Sequence, residues 1–217
     1  MQMRNAIIQK VYEKKIIAIV RGVYDDDCLQ LAKALYEGGV EMMEVTFDQS
    51  KPDELSRTTE TVRRCIEVMG DKMLFGAGTV TTVEMVKLAR EAGAQFIVSP
   101  DVNEEVIKTT RELGMVSMPG AMTATEVFHA YSCGADFVKL FPIANLGPAY
   151  VKALRGPINH IPLLAVGGVS EKNIREFMDA GVVGAGVGGN LVNKKWIAAG
   201  EFEKITEVAR QLMENAQ

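Results

Sequence analysis

The chain has 217 residues, 47% of them hydrophobic, and 24 Lys and Arg against 28 Asp and Glu give a formal charge of −4. That length can bury one large core, and basic residues that are scattered and outnumbered exclude a surface built to neutralise a nucleic-acid backbone. Cys28, Cys65 and Cys133 are odd in number and without CxxC spacing. They indicate neither a disulfide framework nor a zinc site, and suit reduced thiols in the cytoplasm. The start, Met1-Gln2-Met3-Arg4-Asn5-Ala6, has no apolar signal core, and no apolar run nears the roughly 20 residues that span a bilayer. A cytoplasmic protein with no membrane partner is expected.

In chain order, 1–15 reads as a helix with Ile7, Ile8 and Val11 on one face, placed to cap one end of the domain. Next come the branched apolar run 16–21 and the segment 25–37, where Leu29, Ala32 and Leu35 recur every three or four residues, which makes a βα unit. Further strands are predicted at 42–47, 74–78, 96–99, 116–118, 137–141, 163–166 and 182–187, and the stretch from Lys194 reads as helical and amphipathic. Gly39, Gly93, Gly114, Gly134 and Gly181 each close a helical stretch just before a strand, where glycine accepts the left-handed conformation. Eight apolar strands alternating with helices predict a single-domain (β/α)₈ barrel over 1–217 with an N-terminal capping helix. A doubly wound open sheet is the alternative.

In such barrels the chemistry sits at the C-terminal ends of the strands. Lys139 stands in the run Ala135-Asp136-Phe137-Val138-Lys139-Leu140-Phe141-Pro142. Burial there disfavours the ammonium and frees an amine to attack a carbonyl carbon and form a Schiff base, unless the side chain snorkels to water. Glu44, boxed by Met42, Met43, Val45 and Phe47, is placed to have a raised pKa and move protons. The competing reading is an ion pair with Lys139 or Arg21 that only fills the barrel. Arg21 suits an anionic substrate group, or else pairs at the lip with Asp25 or Asp26. Glycine turns at Gly167-Gly168 and Gly188-Gly189-Asn190 end the seventh and eighth strands, where barrels present backbone N–H groups to phosphate. His129 and His160 are isolated and do not suggest metal ligands.

Seven segments, Ile19-Val20-Arg21-Gly22, Glu44-Val45-Thr46-Phe47, Gly76-Ala77-Gly78-Thr79-Val80, Val98-Ser99-Pro100, Met118-Pro119-Gly120, Val138-Lys139-Leu140-Phe141-Pro142 and Val166-Gly167-Gly168-Val169, occur in this order. Together they closely resemble the bacterial 2-keto-3-deoxy-6-phosphogluconate (KDPG) and 2-keto-4-hydroxyglutarate (KHG) aldolases. The resemblance implies a homotrimeric barrel and a class I aldolase without metal or other cofactor, acting on a small 2-keto acid with pyruvate as product. It also implies that Lys139 carries the imine and Glu44 shuttles protons. Arg21, Thr79, Pro100 and Phe141 would line the substrate, and Gly167 and Gly168 would contact phosphate. A KDPG-type substrate is expected, with 4-hydroxy-2-oxoglutarate and the galactonate analogue as alternatives. Two departures bear on substrate: Asp48 stands where many members carry arginine, and Gly189-Asn190 where members often place a serine for phosphate. Backbone amides at Gly188 and Gly189, or the Asn190 side chain, are the expected substitutes.

Overall fold

The computed structural model describes residues 2–51 and 55–217. All the strands are parallel: β1 (Ile16–Val20), β2 (Met42–Thr46), β3 (Leu74–Gly78), β4 (Phe96–Val98), β5 (Val116–Met118), β6 (Gly120–Ala121), β7 (Val138–Leu140), β8 (Leu163–Val166) and β9 (Gly184–Val187). The nine segments form eight staves, because β5 and β6 are one strand interrupted at Pro119. Its first half pairs with β4 and its second with β7, while Pro119, which has no N–H to give, accepts from Lys139 N at 2.9 Å. That change of partner closes the barrel, and the open-sheet alternative fails.

Helices α1 (Gln2–Lys14), α2 (Asp25–Glu37), α3 (Leu55–Met69), α4 (Val83–Glu91), α5 (Glu104–Glu112), α6 (Ala124–Ser132), α7 (Gly147–Arg155), α8 (Ile174–Asp179), α9 (Lys194–Ala198) and α10 (Phe202–Asn215) accompany the staves. The two faces of each strand serve two cores, as the period of two requires. Outward residues such as Val20, Val45, Ala77, Leu140 and Val187 pack with Leu31, Leu35, Val62 and Val151 of the helices. Inward residues Ile17, Met42, Phe96, Val116, Met118, Phe137 and Leu164 form a second cluster, which Ile7 and Val11 of α1 join. Alternate staves fill one level of a barrel interior. On that rule Met42, Phe96, Phe137 and Gly184 share a level, and Glu44, Val98, Lys139 and Gly186 share the next one toward the strands' C-terminal ends. The lower level is apolar and the upper holds two ionisable groups.

Five strands are one or two residues shorter than predicted, at the C-terminal end in β1, β2 and β4, at both ends in β7 and at the start in β9, although Phe47, Ser99 and Phe141 still donate to the neighbouring strand. The five glycine stops are all left-handed, with φ between +79° and +104°. The segment from Lys194 is two helices, broken at Gly200 (φ +71°). No helix among the described residues is long and apolar enough to cross a membrane.

Candidate active site

Glu44 lies in the middle of β2, opposite Ile19 of β1 and Gly76 of β3, and is 3% exposed. Its Oε2 has no hydrogen-bond partner among the described residues. Desolvation lifts its pKa from 4.5 to about 7 against the opposing pull of Lys139 and then Arg21. A rise of that size is roughly 3 kcal/mol against ionisation, so burial outweighs both cations. Gly78 leaves the space that the carboxylate occupies: a Cβ there would stand 2.7 Å from Glu44 Oε1 and 3.0 Å from Thr46 Cγ2.

Lys139 enters from β7, the sixth stave, across the barrel from the second stave that carries Glu44, and is 7% exposed. Its Nζ sits 4.7 Å from the centre of the Phe141 ring, a cation–π contact that the strand alternation between 139 and 141 produces. Burial lowers its pKa; Glu44 opposes, Arg21 adds to the fall, and Asp101 opposes more weakly. Among the described residues neither Lys139 nor Glu44 makes an ion pair within 4.0 Å, so the two do not form a mutually neutralising bridge. They share a void of ≈ 10 Å³ lined by Ile17, Ile19, Val98, Met118 and Leu164 among others. That is the lower limit for one water.

Arg21 follows the last residue of β1 and donates to Thr79 Oγ1 at 3.3 Å. It does not pair with the lip aspartates, because Asp25 takes Arg57 and Asp26 takes Arg64. Thr79 is held at φ +56°, a conformation unusual for a branched residue, and its carbonyl accepts from Gln49 Nε2 at 2.9 Å. Pro100 is half-buried after β4, with its carbonyl 2.4 Å from where a Cβ on Gly120 would lie. Phe141, 37% exposed, forms part of the rim.

The two glycine turns come together. Gly167 and Gly168 are left-handed, at φ +94° and +80°, and a Cβ on Gly168 would approach Ala144 Cβ to 2.5 Å. Asn190 Nδ2 donates to Val169 O at 3.2 Å, so this side chain ties one turn to the other. A cavity of ≈ 460 Å³ opens between Ile19, Arg21, Gly188, Gly189, Val192, Asn193, Lys194 and Lys195. A larger one of ≈ 610 Å³ lies along the lip at Asp25, Asp48, Lys51 and Arg57 and has Lys194 in its wall as well. It does not contain Lys139 or Glu44, and the smaller cavity is the one next to the chemistry through Ile19 and Arg21. Asp48 accepts from Ser50 N at 3.0 Å and Ser50 Oγ at 2.7 Å, which lowers its pKa and keeps it a carboxylate on the lip side. Lys194 was not legible as a site residue, because it begins a helix beyond the last glycine turn and not a strand end. Among the described residues it makes no ion pair within 4.0 Å, and its Nζ lies 3.0 Å from where a Cβ on Gly22 would be. His129 is not isolated, since the fold sets it beside Glu104 and Cys133.

The chain matches the KDPG and KHG aldolase family over residues 7–208 and belongs to it. It is 37% identical over 177 residues to the 2-dehydro-3-deoxy-6-phosphogalactonate aldolase of Escherichia coli strain K12, covering 81% of this chain and 83% of that one. It is 34% identical over 209 residues to the 2-dehydro-3-deoxy-phosphogluconate aldolase of Treponema pallidum, covering 96% of each. A solved structure of KDPG aldolase from Legionella pneumophila, with pyruvate captured as a covalent carbinolamine intermediate, superposes with a TM-score of 0.83 at 26% identity, covering 94% of this chain and 97% of that one.

Gly78→Ala is expected to displace the Glu44 carboxylate and lower kcat by about 10², the usual effect of misplacing a reacting group by an ångström, with KM little changed. Steady-state kinetics on a variant whose circular dichroism matches wild type checks this; a wild-type kcat would show that Glu44 need not sit where Gly78 lets it.

Proposed function

We propose that this protein is a class I aldolase that cleaves a 2-keto-3-deoxy-6-phospho sugar acid of the KDPG type to pyruvate and glyceraldehyde 3-phosphate. The observation that carries the reading is a lysine and a carboxylate buried on one level of the barrel, each pushed by desolvation toward its neutral form. Neutral Lys139 attacks the C2 carbonyl, and loss of water from the carbinolamine gives an iminium that draws electrons from C3. Glu44, directly or through one water, takes the proton from the C4 hydroxyl. The C3–C4 bond breaks, the aldehyde leaves, and the enamine of pyruvate remains on Lys139. Protonation at C3 and hydrolysis release pyruvate and restore the amine. No step draws on a metal or an organic cofactor.

Arg21 and Thr79 border the pyruvyl carboxylate in this scheme, with Pro100 and Phe141 as apolar walls. The distal phosphate lies at the glycine turns, against backbone N–H groups at Gly167, Gly168, Gly188 and Gly189, beside the cavity that Gly188, Gly189 and Lys194 line. Lys194 supplies the cation there, and Asn190 holds the turns in register. The galactonate epimer is the second reading, supported by the E. coli relative of that name. Assembly as a homotrimer belongs to the same proposal. It is supported by Phe128 and Tyr131, 44% and 41% exposed, which flank His160 as a surface apolar patch. A reducing compartment such as the cytoplasm suits the free thiols Cys28 and Cys65, whose sulfurs stand 3.9 Å apart.

The decisive experiment is incubation with pyruvate and borohydride, followed by mass spectrometry of the intact protein and its peptides. A single pyruvyl adduct on Lys139, absent in Lys139→Ala, is expected; an unmodified Lys139 under excess pyruvate would defeat the imine mechanism. Both groups must lose a proton before they act, so kcat/KM should fall as pH drops below about 7. In Glu44→Gln turnover should be lower by about 10² and this limb should lose the Glu44 contribution, with trapping retained. A limb unchanged in Glu44→Gln would remove Glu44 from the shuttle. Nothing lies within 4 Å of a Cβ built on Gly189, and its φ is ordinary. Gly189→Ser is therefore expected to add a hydroxyl contact to phosphate and lower KM about tenfold for phosphorylated substrates only. An equal effect on unphosphorylated 2-keto acids would place the phosphate elsewhere.

A further inference from the structure

Outside the barrel mouth, α5 and α6 bring three different metal-ligating side chains together. His129 and Cys133 are four residues apart, so they stack on one face of the end of α6, with Cys133 Sγ 3.9 Å from His129 Nδ1 and 4.0 Å from Nε2. Glu104, in the first turn of α5, completes the group, and one ligand atom from each of the three lies within 4.8 Å of the other two. Around a tetrahedral zinc ion, bond lengths near 2.3 Å to sulfur and 2.0 Å to nitrogen put those two ligands about 3.5 Å apart. The pair is within a few tenths of an ångström of that separation.

The supports are fixed independently of any ion. Thr123 and Glu126 form a reciprocal capping box at the start of α6, and the Cys133 N–H donates to His129 O at 3.0 Å. Asn103 caps α5 through Glu105 N and Val106 N, which sets the direction of its first turn. His129 and Cys133 point away from the Phe128 and Tyr131 patch, which lies around His160, so the two surfaces do not compete. Lys108 pairs with Glu104, and Arg111 donates to Gly134 O at 2.6 Å. Lys108 is exposed and four residues from Glu104 on one helix, so it can swing aside without any backbone movement.

We propose that Glu104, His129 and Cys133 bind a divalent cation of the zinc class, with water as fourth ligand, and that the ion clips α5 to α6. A donor set of imidazole nitrogen, thiolate sulfur and carboxylate oxygen matches zinc and cobalt and disfavours magnesium and calcium, which prefer oxygen alone. Binding transfers the Cys133 thiol proton to solvent and replaces the Lys108 contact to Glu104 with a metal bond. The site lies on helices that follow the fourth and fifth staves and shares no residue with the lysine chemistry. Its role is to stabilise the fold, and turnover does not depend on it.

The test is titration of chelator-stripped protein with Co²⁺ as a coloured stand-in for Zn²⁺. One equivalent should bind with a near-ultraviolet thiolate-to-cobalt charge-transfer band and visible bands of tetrahedral intensity, and one equivalent of Zn²⁺ should bleach both. Cys133→Ser should abolish the charge-transfer band, and His129→Ala and Glu104→Gln should each weaken binding by about tenfold or more. Zn²⁺ should raise the melting temperature of wild type but not of Cys133→Ser, and pyruvate trapping should be the same with and without metal. Absence of the band at tenfold excess Co²⁺ overturns the proposal. So does a band that survives Cys133→Ser, which would place it on Cys28 or Cys65. Thermal melts of the metal-free variants separate loss of binding from loss of fold.

Discussion

Two ionisable side chains enter one level of a barrel interior from opposite staves, and both are almost fully buried; the rest of the structure serves that constraint. For an isolated buried charge the desolvation penalty is large, and the usual remedies are a partner in contact or loss of the charge. Glu44 and Lys139 take the second route: each is displaced toward its neutral form, Glu44 to about 7, while their mutual attraction only moderates the shifts. A tight bridge between them would have stabilised both ions and silenced both as reagents. Held apart, they leave an amine whose burial favours its neutral form across from a carboxyl that can gain or lose a proton close to neutral pH, the pairing on which the proposed imine chemistry rests.

The frame accommodates this pair through its glycines and its apolar floor. Below the charged level, Met42, Phe96 and Phe137 fill the interior, and Ile7 and Val11 pack beneath them, so water has no route up from that end. Above it, the void between the two groups is about the size of one water. Gly78 gives the carboxylate its volume, since any Cβ would meet Oε1 inside contact distance. The Phe141 ring under the ammonium adds a weak attraction that depends on strand alternation alone. One short run, Phe137 to Phe141, thus supplies a floor residue, the buried amine and the rim.

The sequence made the barrel legible because its signals are local: branched apolar runs, helical spacing and glycine stops whose left-handed backbone the structure bears out at all five positions. Lys139 and Glu44 were legible for the same reason, a charge inside a strand pattern. What escaped is what depends on distance across the fold. Cys28 and Cys65 are 37 residues apart in sequence, yet their sulfurs meet across α2 and α3. His129 reads as solitary until α5 is laid beside α6. Asn190 reads as a phosphate ligand by position, but the fold directs its amide to Val169 O. Lys194 gave no signal at all, because a lysine opening a surface helix is ordinary until the glycine turns bring a cavity to it.

The charges at the mouth bear on substrate choice. Where the resemblance leads one to expect an arginine this chain has Asp48, an added acid on the lip; its carboxylate is occupied by Ser50, and it lines the outer cavity, not the one at Gly188 and Gly189. The inner cavity has Arg21, Lys194 and Lys195 in its wall and no acidic residue among those that line it. Under the proposed function, an anionic tail on the substrate is drawn toward this inner cavity, with the keto acid end at Lys139 near Arg21. Loss of the usual arginine and serine thus does not argue for a neutral substrate. In this chain the cations beside that cavity are Arg21 and the first two residues of α9, Lys194 and Lys195.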